Sequence, residues 1–115
     1  MKNKKKIKEN LETKTLNIIK KSLEKDKVLN MKIINIKKKT TFADYLIVAS
    51  GTSKRHIDTM AKNLREKIKS MLNYTPSIEG MEKSEWVLID VDSAIVNIFK
   101  PEIRDFYNLE KLWDN

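Results

Sequence analysis

At 115 residues, with 40% hydrophobic and 35% charged side chains, the chain has the length and composition of a single globular domain. The absence of cysteine and the presence of one histidine, His56, exclude disulfides, thiolate metal sites and multi-histidine zinc sites. The net charge of +8 is uneven: residues 1–39 hold 14 lysines against four carboxylates, whereas residues 40–115 hold ten cations against 12 carboxylates.

Residues 1–9 (MKNKKKIKE) are low in complexity and lack a periodic apolar pattern, so a basic disordered tail is expected there, with a single domain over 10–115. Neither this stretch nor any other carries the roughly 20 apolar residues of a membrane span. A signal-peptide core is also missing, which points to a cytoplasmic protein with no membrane contact. Leu11, Leu16, Ile19 and Leu23 recur near helical spacing and predict a first helix over residues 10–25. "VLNMKIINI" (28–36) and "YLIVASG" (45–51) read as strands around the loop "KKKTTFAD". Ser53 or Thr52 is placed to cap the clearest helix, in which Ile57, Met60, Ala61, Leu64, Ile68 and Met71 fall at spacings of three and four. "NYTPSIEG" breaks that helix. "EWVLIDV" and "SAIVNIF" form a hairpin, and Lys100-Pro101 opens a short helical or turn segment that runs to Trp113.

This order predicts an α/β fold: a small mixed β-sheet packed by helices. Strand alternation sorts the hairpin into two faces. Val87, Ile89, Val91, Ala94, Val96 and Ile98 make a uniformly apolar face suited to the long helices. Trp86, Leu88, Asp90, Ile95, Asn97 and Phe99 share the other, too apolar for plain solvent and too polar for a core. That second face is either a docking surface or the seat of the folded-back segment 100–113. On this parity Trp86→Ala is expected to stay folded and to lose binding. Within residues 100–113, Phe106, Leu109 and Leu112 are the expected core contacts, and Glu102, Arg104 and Tyr107 the expected surface.

Little in the chain points to catalysis. Asp90 and Asp92 form a D-x-D that could hold a divalent metal, and "SGTS" (50–53) offers helix N-terminal amides to an anion. No third carboxylate accompanies the pair, and Asp and Ser are common hairpin-turn residues. His56 lacks an identifiable orienting partner, and Ser53 lacks an activating base. The lysine excess favours phosphate attraction without base reading, since 21 lysines stand against three arginines. The accompanying 14 isoleucines and ten asparagines also suggest AT-rich coding.

"FADYLIVASGTSKRHIDTMAKNL", the "EG" at 79–80 and "WVLIDVDSAIVNIFKPEIRDFYNLEKLW" resemble the ribosomal silencing factors, or Iojap family, over residues 10–113. The resemblance implies a nucleotidyltransferase-like fold without catalytic residues, no cofactor, and no enzyme activity. It further implies binding to the large ribosomal subunit through its fourteenth protein, and a block on small-subunit joining that represses translation. Trp86, Asp90, Pro101, Glu102, Arg104, Tyr107, Leu109, Glu110, Leu112 and Trp113 match the family pattern, as do Asp44, Gly51 and Arg55. Departures fall at Asp92-Ser93, where the family has Gly-Asp, at Asn97, often histidine, and at Lys100, commonly histidine or glutamine. The candidate partner-binding residues are Trp86, Leu88, Asp90, Asn97, Lys100, Glu102, Arg104 and Tyr107. A peripheral ribosomal RNA contact through the lysine-rich first third and a homodimer of the free protein complete the expected partners. Two rivals come from other classes: a residual metal-dependent nucleotidyltransferase using Asp90 and Asp92, and a direct RNA-binding ribosome assembly factor.

Overall fold

The computed structural model describes the backbone of residues 2–114 and the side chains of residues 11–114. Its elements are α1 (Lys2–Lys25), β1 (Leu29–Asn35), β2 (Tyr45–Ser50), α2 (Lys54–Leu72), β3 (Ser77–Glu79), β4 (Trp86–Val91), β5 (Ala94–Phe99), α3 (Pro101–Tyr107) and α4 (Leu109–Trp113). The strands form one mixed sheet in the order β1-β2-β5-β4-β3, with β2 and β5 parallel and the other three pairs antiparallel. A parallel pair requires a crossover, and the chain between β2 and β5 supplies one that carries α2.

Both long helices lie on one face of the sheet, as the strand parity requires. Ile57, Met60, Ala61, Leu64 and Ile68 of α2 and Ile18, Ile19 and Leu23 of α1 pack on Ile47, Val87, Ile89, Val91, Ala94, Val96 and Ile98. Each valine, leucine, isoleucine or methionine among them contributes about 1.5–3 kcal/mol when fully buried. The α2 stripe drifts off the core at its end, leaving Met71 exposed. Ser53 caps α2 as expected: its backbone is extended and its hydroxyl accepts the His56 N–H at 3.1 Å. His56 then holds the end of α1, with Nδ1 accepting the Thr52 N–H at 2.9 Å and Nε2 2.6 Å from the Asp26 carbonyl. Gly51 lets this junction close, because a Cβ there would lie 2.6 Å from Ile57 Cγ1 and 2.9 Å from Met60 Cε.

The structure differs from expectation in three places. Helix α1 begins at Lys2 rather than near Asn10, since the intervening residues include no glycine or proline to break a helix. The side chains of the expected basic tail lie outside the described residues. Along α1 it is Ile18, not Leu11, that joins Ile19 and Leu23 in the core, and Leu11 is exposed. Glu12 is buried because the Lys37 ammonium lies 2.8 Å from its carboxylate, and that contact raises the Lys37 pKa above its ordinary value. Third, "SIE" at 77–79 forms an edge strand on β4 inside the stretch read as a helix break. Three residues after a proline are too few to show a strand period.

The turn between β3 and β4 is pinned to α2. Ser84, fully buried with φ 51°, donates its hydroxyl to Asp58, while Lys54 Nζ lies 3.0 Å from Asp58 Oδ2 and 2.9 Å from the Met81 carbonyl. Burial pushes the Asp58 carboxyl up, but the Ser84 hydroxyl and the Lys54 ammonium outweigh it and hold the group below the usual range. A depressed folded pKa stabilises the fold above the unfolded carboxylate value, near pH 4, and that gain is lost as pH falls through the folded value. Asp58→Asn is therefore expected to melt below the wild type at pH 7, with the gap closing on acidification below about pH 4. A gap that stays constant with pH would rule out the ionised pair.

Candidate protein-docking face

The face of the sheet opposite α1 and α2 is only partly covered. Cross-strand register puts Trp86 opposite Phe99, Leu88 opposite Asn97 and Asp90 opposite Ile95. On β3, Glu79 sits opposite Leu88 and Ser77 opposite Asp90. At one end, Ile34, Ile36, Ala43, Leu46, Val48 and Phe99 form a second core, packed by Ile103, Leu109 and Trp113 from the C-terminal helices. Toward β3 the face opens: Leu88 and Ile95 are half-buried, and Asp90 and Glu79 are exposed. The folded-back segment 100–113 is thus seated over one end of this face, and the rest of the face is left open.

An aromatic ladder runs along the boundary between these areas. The Trp86 ring stacks on Phe99 with centroids 4.9 Å apart and meets Tyr107 at 4.8 Å, and Tyr107 meets Phe106 edge-on at 5.2 Å. The outer rungs face solvent, with Phe106 80% and Tyr107 51% exposed. Beside them a groove of about 660 Å³ runs between Trp86, Ile103, Phe106 and Tyr107 on one side and Gly80, Glu82, Lys83 and Glu85 on the other.

The predicted residues divide between surface and support. Leu88, Asp90, Lys100, Glu102 and Tyr107 present surface. Trp86, placed by strand parity on the second face, is half-buried there: its ring stacks on Phe99, and its Nε1–H donates to Asn97 Oδ1 at 2.9 Å. Asn97 is 1% exposed and donates in turn to the Ile47 carbonyl at 3.2 Å, so it orients the tryptophan from beneath and offers no surface. Its departure from the family pattern therefore lies below the face. Asp92 occupies the hairpin turn with φ 51°, a left-handed geometry that glycine adopts freely and aspartate tolerates. The departure from glycine there keeps the turn.

The C-terminal segment corrects the expected core contacts. Leu109 packs as expected, but Phe106 and Leu112 are exposed, and Ile103 and Trp113 take their place in the packing. The reason is Asn108, whose φ of 48° ends α3 and restarts the chain as α4, so no single helical period spans the segment. Arg104, expected at the surface, points inward: its Nη1 donates to Ser50 Oγ at 2.9 Å and its Nε to Glu110 Oε1 at 3.2 Å, with only 11% of the side chain exposed. Lys39 donates to the Trp113 carbonyl and Lys32 pairs with Asp114, which ties the end of the chain to the β1 side. Losing charge-assisted hydrogen bonds of this kind costs about 1.5–3 kcal/mol, so Arg104→Ala is expected to destabilise the fold by about 2 kcal/mol. Arg104→Lys is expected to recover little, because a point charge cannot bridge both acceptors as the guanidinium fork does. A melting curve unchanged in either variant would remove Arg104 from this role.

Reasoning from sequence missed Ile103, Phe106, Glu82 and Glu85 as parts of this site. "MEKSEW" (81–86) did carry the signal, since two glutamates directly precede the strand that opens with Trp86. Among the described residues no three histidine, cysteine, aspartate or glutamate side chains are grouped to hold a metal ion, and no helix is long and apolar enough to cross a membrane. Near the D-x-D, burial and the Asp92 and Asp90 carboxylates raise the pKa of the Tyr74 hydroxyl, keeping it protonated.

Comparison with known proteins gives consistent matches. Residues 8–115 match the family model "Ribosomal silencing factor during starvation". The chain is 40% identical over 98 residues to the ribosomal silencing factor RsfS of Zymomonas mobilis, covering 85% of this chain and 74% of that protein. It is 30% identical over 94 residues to the mouse protein "Mitochondrial assembly of ribosomal large subunit protein 1", covering 79% of this chain and 41% of that one. A crystal structure of a Chromobacterium violaceum protein superposes with a TM-score of 0.84 at 29% identity, covering 90% of this chain and 86% of that one.

Proposed function

Since the chain belongs to the ribosomal silencing factor family, whose members are non-catalytic regulators of translation, we propose that its aromatic and acidic sheet face docks on the fourteenth protein of the large ribosomal subunit. Seated there, the protein occupies space that the small subunit needs, and translation is repressed by preventing the two subunits from joining. The working compartment is the cytoplasm. In this reading the fold is the nucleotidyltransferase-like scaffold that the family resemblance implies, with the chemistry absent.

The observation that carries this reading is the half-open second face. Trp86 is fixed from below by Phe99 and Asn97, while Leu88, Asp90, Glu102, Phe106 and Tyr107 stand around it. A rigid aromatic anchor inside a polar rim is the arrangement that concentrates binding energy at protein interfaces. Glu79, Glu82, Glu85, Asp90 and Glu102 give the rim a negative bias that suits a basic ribosomal protein and speeds encounter with it. Lys100 and Lys83 are its nearby cations. Exposed Phe106 and Tyr107 also suit pairing of two free copies through this same face, which docking on the ribosome would displace.

The lysine-rich first third supplies a further, peripheral attraction for ribosomal RNA. The test is co-sedimentation with separated ribosomal subunits, followed by a joining assay. The expected result is binding to free large subunits that persists at moderate salt, and loss of the joined-ribosome peak when small subunits are added. Binding to neither subunit, or equal binding to both, would overturn the proposal.

A further inference from the structure

A second groove lies on the far side of the sheet from Trp86. It is a groove of about 960 Å³ between the outer surfaces of α1 and α2, whose inner surfaces cover the opposite sheet face. Four cations line it: Lys14, Lys21 and Lys25 from α1, and Lys67 from α2. Positions 14, 21 and 25 are seven and four residues apart, so they share one helix stripe that extends over about 16 Å. Among the described residues none of the four has a carboxylate within ion-pair distance. The two acidic residues in the lining are engaged elsewhere, Asp26 with the Asn63 amide at 2.9 Å and Glu66 with Arg65 at 3.8 Å. Asn17 and Ser70 add neutral hydrogen-bonding groups between the lysines.

From this we infer that the α1–α2 groove is a second ribosome contact, which takes a run of RNA backbone phosphates; the inference rests on the ribosomal reading above. A row of unneutralised cations wider than any single small anion matches the repeating charge of a nucleic-acid strand. Lysines are point charges that hold phosphates without reading bases, so the contact is independent of sequence. A lipid surface fits less well, because interfacial binding needs an apolar face to insert and Met71 is the one exposed large apolar residue in the lining. The groove and the Trp86 face lie on opposite sides of the sheet, so both can be occupied at once.

The test compares the full chain with a Lys14→Gln, Lys21→Gln, Lys25→Gln, Lys67→Gln variant and with a control variant carrying Arg55→Gln, Lys62→Gln, Lys69→Gln and Lys111→Gln, four exposed cations outside both the groove and the Trp86 face. Glutamine keeps helix propensity close to that of lysine, and melting curves check folding. The probes are purified large-subunit RNA across a salt series, vesicles rich in an anionic lipid, and the isolated fourteenth protein. Each lost phosphate contact lowers the slope of log affinity against log salt by about 0.7–0.9, so the groove variant is expected to lose about three units of slope. It is also expected to bind RNA at least about tenfold more weakly at 0.1 M salt, and to bind the fourteenth protein normally. The control variant is expected to keep most of the slope. Equal losses in the two variants would show generic charge and overturn the inference, as would tighter binding of the vesicles than of RNA through the groove lysines. Failure of the wild type to bind the fourteenth protein would instead count against the docking proposal alone.

Discussion

Trp86→Ala is expected to produce the largest functional loss of any single substitution. The side chain is held on three sides, by the Phe99 stack at 4.9 Å, the Tyr107 contact at 4.8 Å and the hydrogen bond to Asn97 at 2.9 Å, so truncation removes both an anchor and a support. A large aromatic cut to alanine in a packed site costs about 3–5 kcal/mol. Half-burial places this one near the lower end, at about 3 kcal/mol. Loss of a central interface aromatic costs a further 2 kcal/mol or more of binding, which is at least about thirtyfold in affinity. The two effects separate if binding is measured well below the lowered melting temperature. Trp86→Phe sharpens the comparison: it keeps the stack on Phe99 and loses only the donor to Asn97. It is expected to retain most of the binding with a stability loss of about 1 kcal/mol. A Trp86→Ala protein that is folded and binds large subunits normally would remove Trp86 from the interface.

Gly80→Ala is expected to be the most damaging small substitution for the fold. Gly80 has φ +91°, which side-chain-bearing residues rarely adopt, and a Cβ would fall 2.2 Å from the Trp86 carbonyl oxygen. The obstacle is backbone, so no rotamer change relieves it. The Ser84 N–H donates to the Gly80 carbonyl at 3.0 Å, so the displacement propagates through the turn that Ser84 fastens to Asp58. Strain of this kind is worth about 1–3 kcal/mol, and the clash adds to it. The expected total is about 3 kcal/mol, seen as a fall in melting temperature of roughly 10 °C or more. Because Trp86 opens β4 at this point, the variant is also expected to bind large subunits more weakly even while folded. An unchanged melting temperature would show that the turn has another conformation available.

How much of this could be read from the residues depended on the length of each element. The two faces of the β4–β5 hairpin were legible because six-residue strands alternate strictly, and Val87, Ile89 and Val91 leave no other face for the helices. Helix α2 was legible from its stripe and from Ser53. The edge strand β3 was not, since three residues carry no period. The C-terminal contacts were misread because a left-handed Asn108 resets the helical phase, which exchanges Phe106 and Leu112 for Ile103 and Trp113 in the packing. At the site, parity identified the right face without giving depth. Whether Asn97 lies on that face or under it depends on where the Trp86 ring falls, a tertiary fact that no local pattern encodes. Arg104 shows the same limit, since its acceptors Ser50 and Glu110 come from two other elements.

The proposed docking of this face on the large subunit is tested most directly by photo-crosslinking from single positions. A photoreactive group placed at Leu88 or at Phe106, both beside Trp86 and both accessible, is expected to join the protein to the fourteenth protein of free large subunits. The same group at exposed Lys69 on α2, on the opposite side of the sheet, is expected to give no such product. Crosslinks to the fourteenth protein from Lys69 and none from Leu88 or Phe106 would contradict the account.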